Sequence, residues 1–278
     1  MNEILIAIVL FKKNISELSL LKDIANISNI KFDLFIYDNS PNAQNIPKIK
    51  GVNIYYEHNS NNAGVSRAYN RGAIKAKELK KDLILVLDQD TEFRYSYIEK
   101  YLLEYSKYKD KYLYAPVICD ATMNKIYSPA HMNNFVGKIQ VFKDFIFTEK
   151  YNLENKSVIN SGLMIPLPLF DKIGGFNEKI KLDFSDIYFI EKYKKINLEI
   201  ILVNIYIKHS ISGDDGKEFL RELHRFKFYC NGASELGRSL SKPIYWSPLR
   251  RLIRLIIKYK SLKFISVFYN YFLKGASI

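Results

Sequence analysis

Leu83-Ile84-Leu85-Val86-Leu87 runs directly into Asp88-Gln89-Asp90-Thr91. Five consecutive apolar residues, bounded by polar ones and rich in branched side chains, describe a strand buried on both faces, as in the centre of a parallel sheet. The two carboxylates that follow are one residue apart. Alternate residues of an extended backbone project to one side, so Asp88 and Asp90 can face a common point. Two oxygen donors there suit a hard divalent cation, Mg²⁺ or Mn²⁺, which completes its shell with water and substrate phosphates.

Outward from this strand the pattern repeats. Strand-like runs fall at residues 4–10, 31–37, 52–57 and 112–118, and segments with apolar residues at helical spacing fall at 16–27, 66–79 and 95–107. Alternation of this kind marks βαβ units, hence an α/β fold with a mostly parallel sheet flanked by helices. Open sheets of this class bind ligands beyond the carboxyl ends of their strands, where Asp38 follows the second run and Asp88 the fourth. Residues 119–155 carry weak periodicity and read as loops or short strands over the site. Order resumes with a strand at 157–166, the turn Gly174-Gly175, a helix at 184–195, a strand at 198–208 and a helix at 217–236.

The chain has 278 residues, 48% of them hydrophobic, enough for one large α/β domain with an appendage. Its first apolar run is too short to span a bilayer and has no basic leader, so it reads as a strand. Cys119 and Cys230 lie far apart with no metal-binding spacing, which points to a reducing compartment. The formal charge of +13 calls for a phosphate-bearing partner. From Lys242 onward the sequence holds Lys242, Arg250, Arg251, Arg254, Lys258, Lys260, Lys263 and Lys274 and no acidic residue. Residues 245–273 place Leu249, Leu252, Ile253, Ile256 and Ile257 beside Arg250, Arg254 and Lys258 at helical spacing. The expectation is a catalytic domain over residues 1–240 and a basic amphipathic segment over 241–278 that lies on an anionic membrane surface, or else packs on the domain.

Several separated motifs occur in a telling order: Tyr37-Asp38-Asn39-Ser40, Asn62-Ala63-Gly64, Asn70-Arg71-Gly72, Asp88-Gln89-Asp90, Gly174-Gly175-Phe176-Asn177-Glu178 and Asp183-Phe184-Ser185-Asp186. Over roughly the first 210 residues the chain resembles family 2 glycosyltransferases of the GT-A fold. The Asp-Gln-Asp form of the triplet, with His209-Ser210-Ile211-Ser212-Gly213 downstream, is most similar to the bacterial rhamnosyltransferase branch. The resemblance implies inverting transfer of a sugar, L-rhamnose from dTDP-rhamnose or a hexose from a UDP-sugar, to a surface-glycan acceptor that is often lipid-linked. It further implies a cytoplasmic enzyme peripheral to the inner face of the membrane. Asp38 would accept a hydrogen bond from the donor's pyrimidine base, with an Asx turn as the plain alternative. Asn62, Gly64 and Arg67 would line the nucleotide, and Gln89 belongs to the same donor-binding set. Asp90 would hold the metal, Asp88 the ribose or the metal, and His209 would be a third ligand. Asp186, six residues before a basic residue, would be the base. Here Ser185 replaces the family's Glu and Lys192 its Arg, which leaves Asp183 as a rival. Asn160, Ser161, Gly162 and Gly175 would sit near the acceptor.

The different-class alternative is a basic nucleic-acid-binding protein, and a third class is an oxidoreductase; the pattern speaks against both. A nucleic-acid-binding protein would interleave its basic cluster with exposed aromatics, whereas these aromatics are scattered over core strands. A dinucleotide-dependent oxidoreductase needs a glycine-rich turn after the first strand, where this chain has Phe11-Lys12-Lys13-Asn14.

Overall fold

The structure, a computed structural model, describes residues 4–25, 27, 32–120, 122–133, 138–142, 145–208, 219–241, 244–276 and 278. Among them the first five strands are β1 (Ile4–Leu10), β2 (Asp33–Asp38), β3 (Ile54–His58), β4 (Leu83–Asp88) and β5 (Tyr114–Cys119). They are followed by β6 (Ile126–Asn133), β7 (Lys138–Phe142), β8 (Lys150–Asn152), β9 (Lys156–Ser157), β10 (Leu163–Pro166) and β11 (Glu199–Lys208). The helices are α1 (Ser19–Ile24), α2 (Val65–Glu78), α3 (Ser96–Tyr108), α4 (Leu167–Ile173), α5 (Ser185–Lys194), α6 (Phe219–Leu240), α7 (Trp246–Tyr259) and α8 (Lys263–Val267), the last continued by a π-helical turn at Phe268–Leu273.

The strands form one sheet in the order β3-β2-β1-β4-β10-β5-β11-β8, with β6 on β5 and both β7 and β9 on β6. β1, β2, β3 and β4 are parallel, β10 runs antiparallel to β4 and β5, and β5 pairs parallel with β11. Since β10 runs backwards, its first residue and the Ser161 just before it lie at the same edge as the end of β4, with Leu163 opposite Val86. β1, β2, β5 and the apolar part of β4 are buried along their whole length. Alternate side chains of the strands feed two cores, one under α2, α4 and α5 and one under α1 and α3. That division is what uninterrupted apolar strands require.

The expected strand at 157–166 is broken. Ser157 pairs with Ala130 of β6 while Leu163 pairs with Val86, and the chain crosses between them through Gly162 at φ +83°. A side chain on Gly162 would meet Pro116 Cγ at 2.7 Å. The expected single helix at 245–273 is also broken, because Lys260 ends α7 in the left-handed region at φ +48°. α8 and the π turn then fold back, so that Leu252, Leu255, Phe264 and Phe272 share a third core with Phe226, Cys230, Ala233 and Leu236 of α6 and with Ile180, Phe184 and Ile187 around the start of α5.

Candidate active site

The carboxyl edge of β4 is the centre of the site. Asp88 leaves the strand with both carboxylate oxygens engaged: Tyr69 of α2 donates its hydroxyl to Oδ1 at 2.6 Å, and Ser161 donates to Oδ2. Tyr69 is buried, and its phenol is held well above its ordinary pKa by burial and then by the negative charges of Asp88, Asp90 and Asp186. Of these three carboxylates the hydroxyl touches Asp88 alone, while Asp90 and Asp186 act on it through space. Asp88 is thus held by two hydrogen bonds; Asp90 lies beyond it on the turn, and both keep part of their surface exposed.

Asp186 stands in the first turn of α5 and keeps part of its surface open. Its carboxyl is pushed up to about 6, first by burial and then by the charges of Asp88 and Asp183, against the hydrogen bond it accepts from Ile187 N at 2.8 Å. A carboxyl titrating near 6 is poised to take a proton close to neutral pH. Asp183 faces differently. Arg225 of α6 donates to its Oδ1 at 3.2 Å, its Oδ2 is buried without a hydrogen-bond partner, and it does not cap α5. Between the two carboxylates, Phe184 is in the left-handed region at φ +75°, buried against the ring of Tyr229 with centroids 4.8 Å apart. A non-glycine residue held there stores on the order of 1–3 kcal/mol of strain, and that conformation turns the chain so that Asp186 enters the site. Below it, Ser66 Oγ donates to Ile180 O at 2.6 Å and shares a hydrogen bond with Ser185 Oγ at 2.8 Å, tying α2 to α5.

Other expected residues have different surroundings. Asp38 is fully buried; Ser40 N donates to Oδ1 in an Asx turn, and Gln44 and Tyr56 donate to Oδ2 at 3.0 and 2.8 Å. Burial acts to raise its carboxyl, but the hydrogen bonds from Ser40, Tyr56 and Gln44 prevail and hold it below the usual range. Contact with a base therefore requires Gln44 or Tyr56 to yield. Gly64 faces protein: at φ +93° a side chain would lie 2.3 Å from Lys181 O, and the adjacent Val65 N donates to that same oxygen. Gly64 is thus needed to dock the 181 segment on α2. Asn62 lies in the left-handed region at φ +49°, and Arg67 is exposed on α2. Gln89 accepts from Phe11 N at 2.8 Å through Oε1, and Lys13 Nζ donates to Gln89 O at 2.8 Å, so a cation lies against the triplet. Nothing in the local sequence around Lys13 marks it for that place.

The four expected acceptor residues do not line an open surface. Ser161 and Gly162 are buried, and Tyr101 donates to Gly162 O at 2.6 Å. Asn160 is also buried, and Gly175 belongs to a turn that Asn70 grips by accepting from Phe176 N at 2.9 Å and donating to Phe176 O at 3.0 Å. Next to Asp186 the chain instead forms a small hollow lined by Tyr127, Ala130, Met132, Val158, Ile159 and Ile187. His209 lies outside the described residues, as does the rest of 209–213.

Among the described residues no three His, Cys, Asp or Glu side chains gather into a ready-made metal cluster. The donor set nevertheless suits Mg²⁺ or Mn²⁺, because carboxylate oxygen is the local donor and such an ion needs one or two carboxylates when phosphates supply the rest. Asp90, backed by the fixed charge of Asp88, is the residue that would hold it.

An open α/β sheet with a carboxylate edge at the end of a central strand, facing a second carboxylate at a helix start, defines a GT-A-type catalytic domain. The sequence pattern of Glycosyl transferase family 2 matches residues 17–167, more than half of the chain, and the chain belongs to that family. Among solved structures, the crystal structure of GalNAc-T7 with UDP, GalNAc and Mn²⁺ is similar at 12% identity with a TM-score of 0.58, over 96% of this chain and 56% of that one. A Staphylococcus aureus TarS structure is similar at 10% identity with a TM-score of 0.54, over 98% of this chain and 72% of that one. This chain thus spans little more than half the length of the GalNAc-T7 chain. No curated protein matches it significantly in sequence.

Proposed function

We propose that the protein is an inverting, nucleotide-sugar-dependent glycosyltransferase in which Asp186 is the base. The observation that carries this reading is the pairing of Asp88, held by Tyr69 at the end of β4, with Asp186 at the start of α5, whose carboxyl is pushed up to about 6 by burial and then by the charges of Asp88 and Asp183. The acceptor hydroxyl would enter beside the hollow at Tyr127 and give its proton to Asp186 as it attacks the anomeric carbon. Asp90 would hold Mg²⁺ or Mn²⁺, whose chemistry when bound is to neutralise charge on the leaving diphosphate. Lys13, which donates to Gln89 O, and Arg67 would supply further positive charge there, and the buried Tyr69 and Ser161 hold the Asp88 carboxylate in place. Desolvation at the base and fixed charge at the leaving group are both arranged before substrate arrives, which is where electrostatic catalysis gains most.

The donor we favour is dTDP-L-rhamnose, on the Asp-Gln-Asp form of the triplet. A UDP-hexose is the second reading, favoured by the UDP and Mn²⁺ in the GalNAc-T7 structure. The acceptor would be a lipid-linked surface glycan, which would place the enzyme on the cytoplasmic face of the membrane. A thermal-shift panel of dTDP, UDP and their sugars, with and without Mn²⁺ or Mg²⁺, tests both donor class and cofactor. A ligand at about 100 times its Kd adds about 2.7 kcal/mol to stability, several degrees in a chain of this size. Stabilisation by one pyrimidine diphosphate that depends on the metal is the expected result; no shift with any nucleotide would overturn the reading.

A further inference from the structure

The amphipathic character of α7 is double. Its inner face is closed by α6 and α8, with Leu252 at 7% and Leu255 at 2% exposure in the third core. Half a turn away, Trp246, Arg250, Ile253 and Ile257 fall at spacings of four, seven and eleven residues and therefore on one line. Trp246 is 49% exposed, Ile253 50% and Ile257 72%. Arg250, Arg254 and Lys258 are exposed beside them, and with Ile253 and Ile257 they surround one shallow surface concavity. The sequence stripe that reads as one apolar face is thus divided, Leu252 turned inward and Ile253 and Ile257 outward.

We infer that this outer face of α7 is a docking surface for an anionic lipid bilayer, with Trp246, Ile253 and Ile257 entering the interface while Arg250, Arg254 and Lys258 engage lipid phosphates. Charge complementarity selects that occupant. No acidic residue follows Lys242, so cations of the outer face meet no countercharge from their own segment. A second copy of the same face would bring like charges together, and a nucleic-acid backbone would leave the isoleucines unburied. Interleaved cation and apolar side chains are what an interfacial helix presents, the long basic side chains reaching up to head groups as the apolar ones go down. No described helix is long and apolar enough to cross a membrane, which fits a surface attachment. The face also bears on the site, since α6 holds α7 on one side and on the other reaches Asp183 through Arg225. The inference deepens the membrane placement proposed above and rests on it only for the acceptor.

The test is co-sedimentation of the full chain with phosphatidylcholine vesicles and with vesicles containing about one-third phosphatidylglycerol, at low and high salt. Binding is expected only to the anionic vesicles and should weaken with salt. Arg250→Gln/Arg254→Gln/Lys258→Gln should lose about 10²-fold, about fivefold per cation. Ile253→Ser/Ile257→Ser should lose about tenfold or more with the charge unchanged. Equal binding to neutral and anionic vesicles, insensitivity to both variants, a dimer that the isoleucine variant dissolves, or binding to duplex DNA but not to vesicles would each overturn the inference. The nucleotide shift measured on the same variants separates the two proposals. A retained shift without vesicle binding defeats docking alone, and vesicle binding without any nucleotide shift defeats the transfer reading alone.

Discussion

Burial and the charges of Asp88 and Asp183 draw the Asp186 carboxyl towards its neutral form, while the backbone of α5 partly supports the ionised one. The sign of the consequence is fixed. With a folded value of about 6 against an ordinary 3.8, the folded chain keeps a proton between those pH values that the unfolded chain has released. Stability therefore falls as pH rises through that window, by on the order of 2 kcal/mol once part of the carboxyl's contact with water is allowed for. Asp186→Asn removes the titration. The variant should unfold a few degrees above the wild type at pH 7 and level with it near pH 4, while transfer drops by about 10²–10⁴-fold. Thermal denaturation across pH, paired with a transfer assay at pH 7, measures both. A variant that is no more stable at pH 7 than the parent would show that desolvation does not govern this carboxyl.

At the scale of the element, the entry to α5 is the part of the site built from the greatest distance. Phe184 turns left-handed, Arg225 holds Asp183, and Gly232 of α6 lies so close that a side chain there would stand 2.6 Å from Asp183 O. Gly232→Ala should push the start of α5 and move Asp186. A displacement near 1 Å at a reacting group costs about 10²-fold, so transfer should fall by that order while metal-dependent nucleotide binding at the β4 edge stays within a few-fold. Loss of both together would mean that the helix start and the strand edge are not separately supported. This division also explains what could be read in advance. β1, β2, β4 and β5 were legible because burial on both faces leaves an uninterrupted apolar run, and the carboxylates of the triplet come with β4. The bend at Phe184, the grip of Asn70 on the Gly174-Gly175 turn and the burial of Asp38 under Gln44 and Tyr56 were not, because each is a contact between distant segments with no local period. Gly64 was expected to line the nucleotide; the backbone that closes on it is that of Lys181, and no local pattern tells a neighbouring backbone from a ligand.

For the whole molecule, the third core decides how residues 241–278 belong to the rest. A segment that only lay on a membrane would leave α6 with a solvated outer side. Instead Phe226, Cys230 and Leu236 are closed by Leu252, Leu255, Phe264 and Phe272, and burial pushes the Cys230 thiol up to about 12. The same cluster includes Ile187, the residue after Asp186, so the C-terminal helices and the site share one packed unit. Removing four large apolar side chains from this core forfeits about 2–5 kcal/mol each, an amount comparable in sum with the whole stability of a domain. A chain ending after Leu240 should therefore fail to fold cooperatively, and the full chain should melt in one calorimetric transition with equal calorimetric and van't Hoff enthalpies. Two transitions, or a truncated chain that keeps its metal-dependent nucleotide shift, would instead make residues 1–240 an autonomous domain and reduce α7 and α8 to an attached anchor.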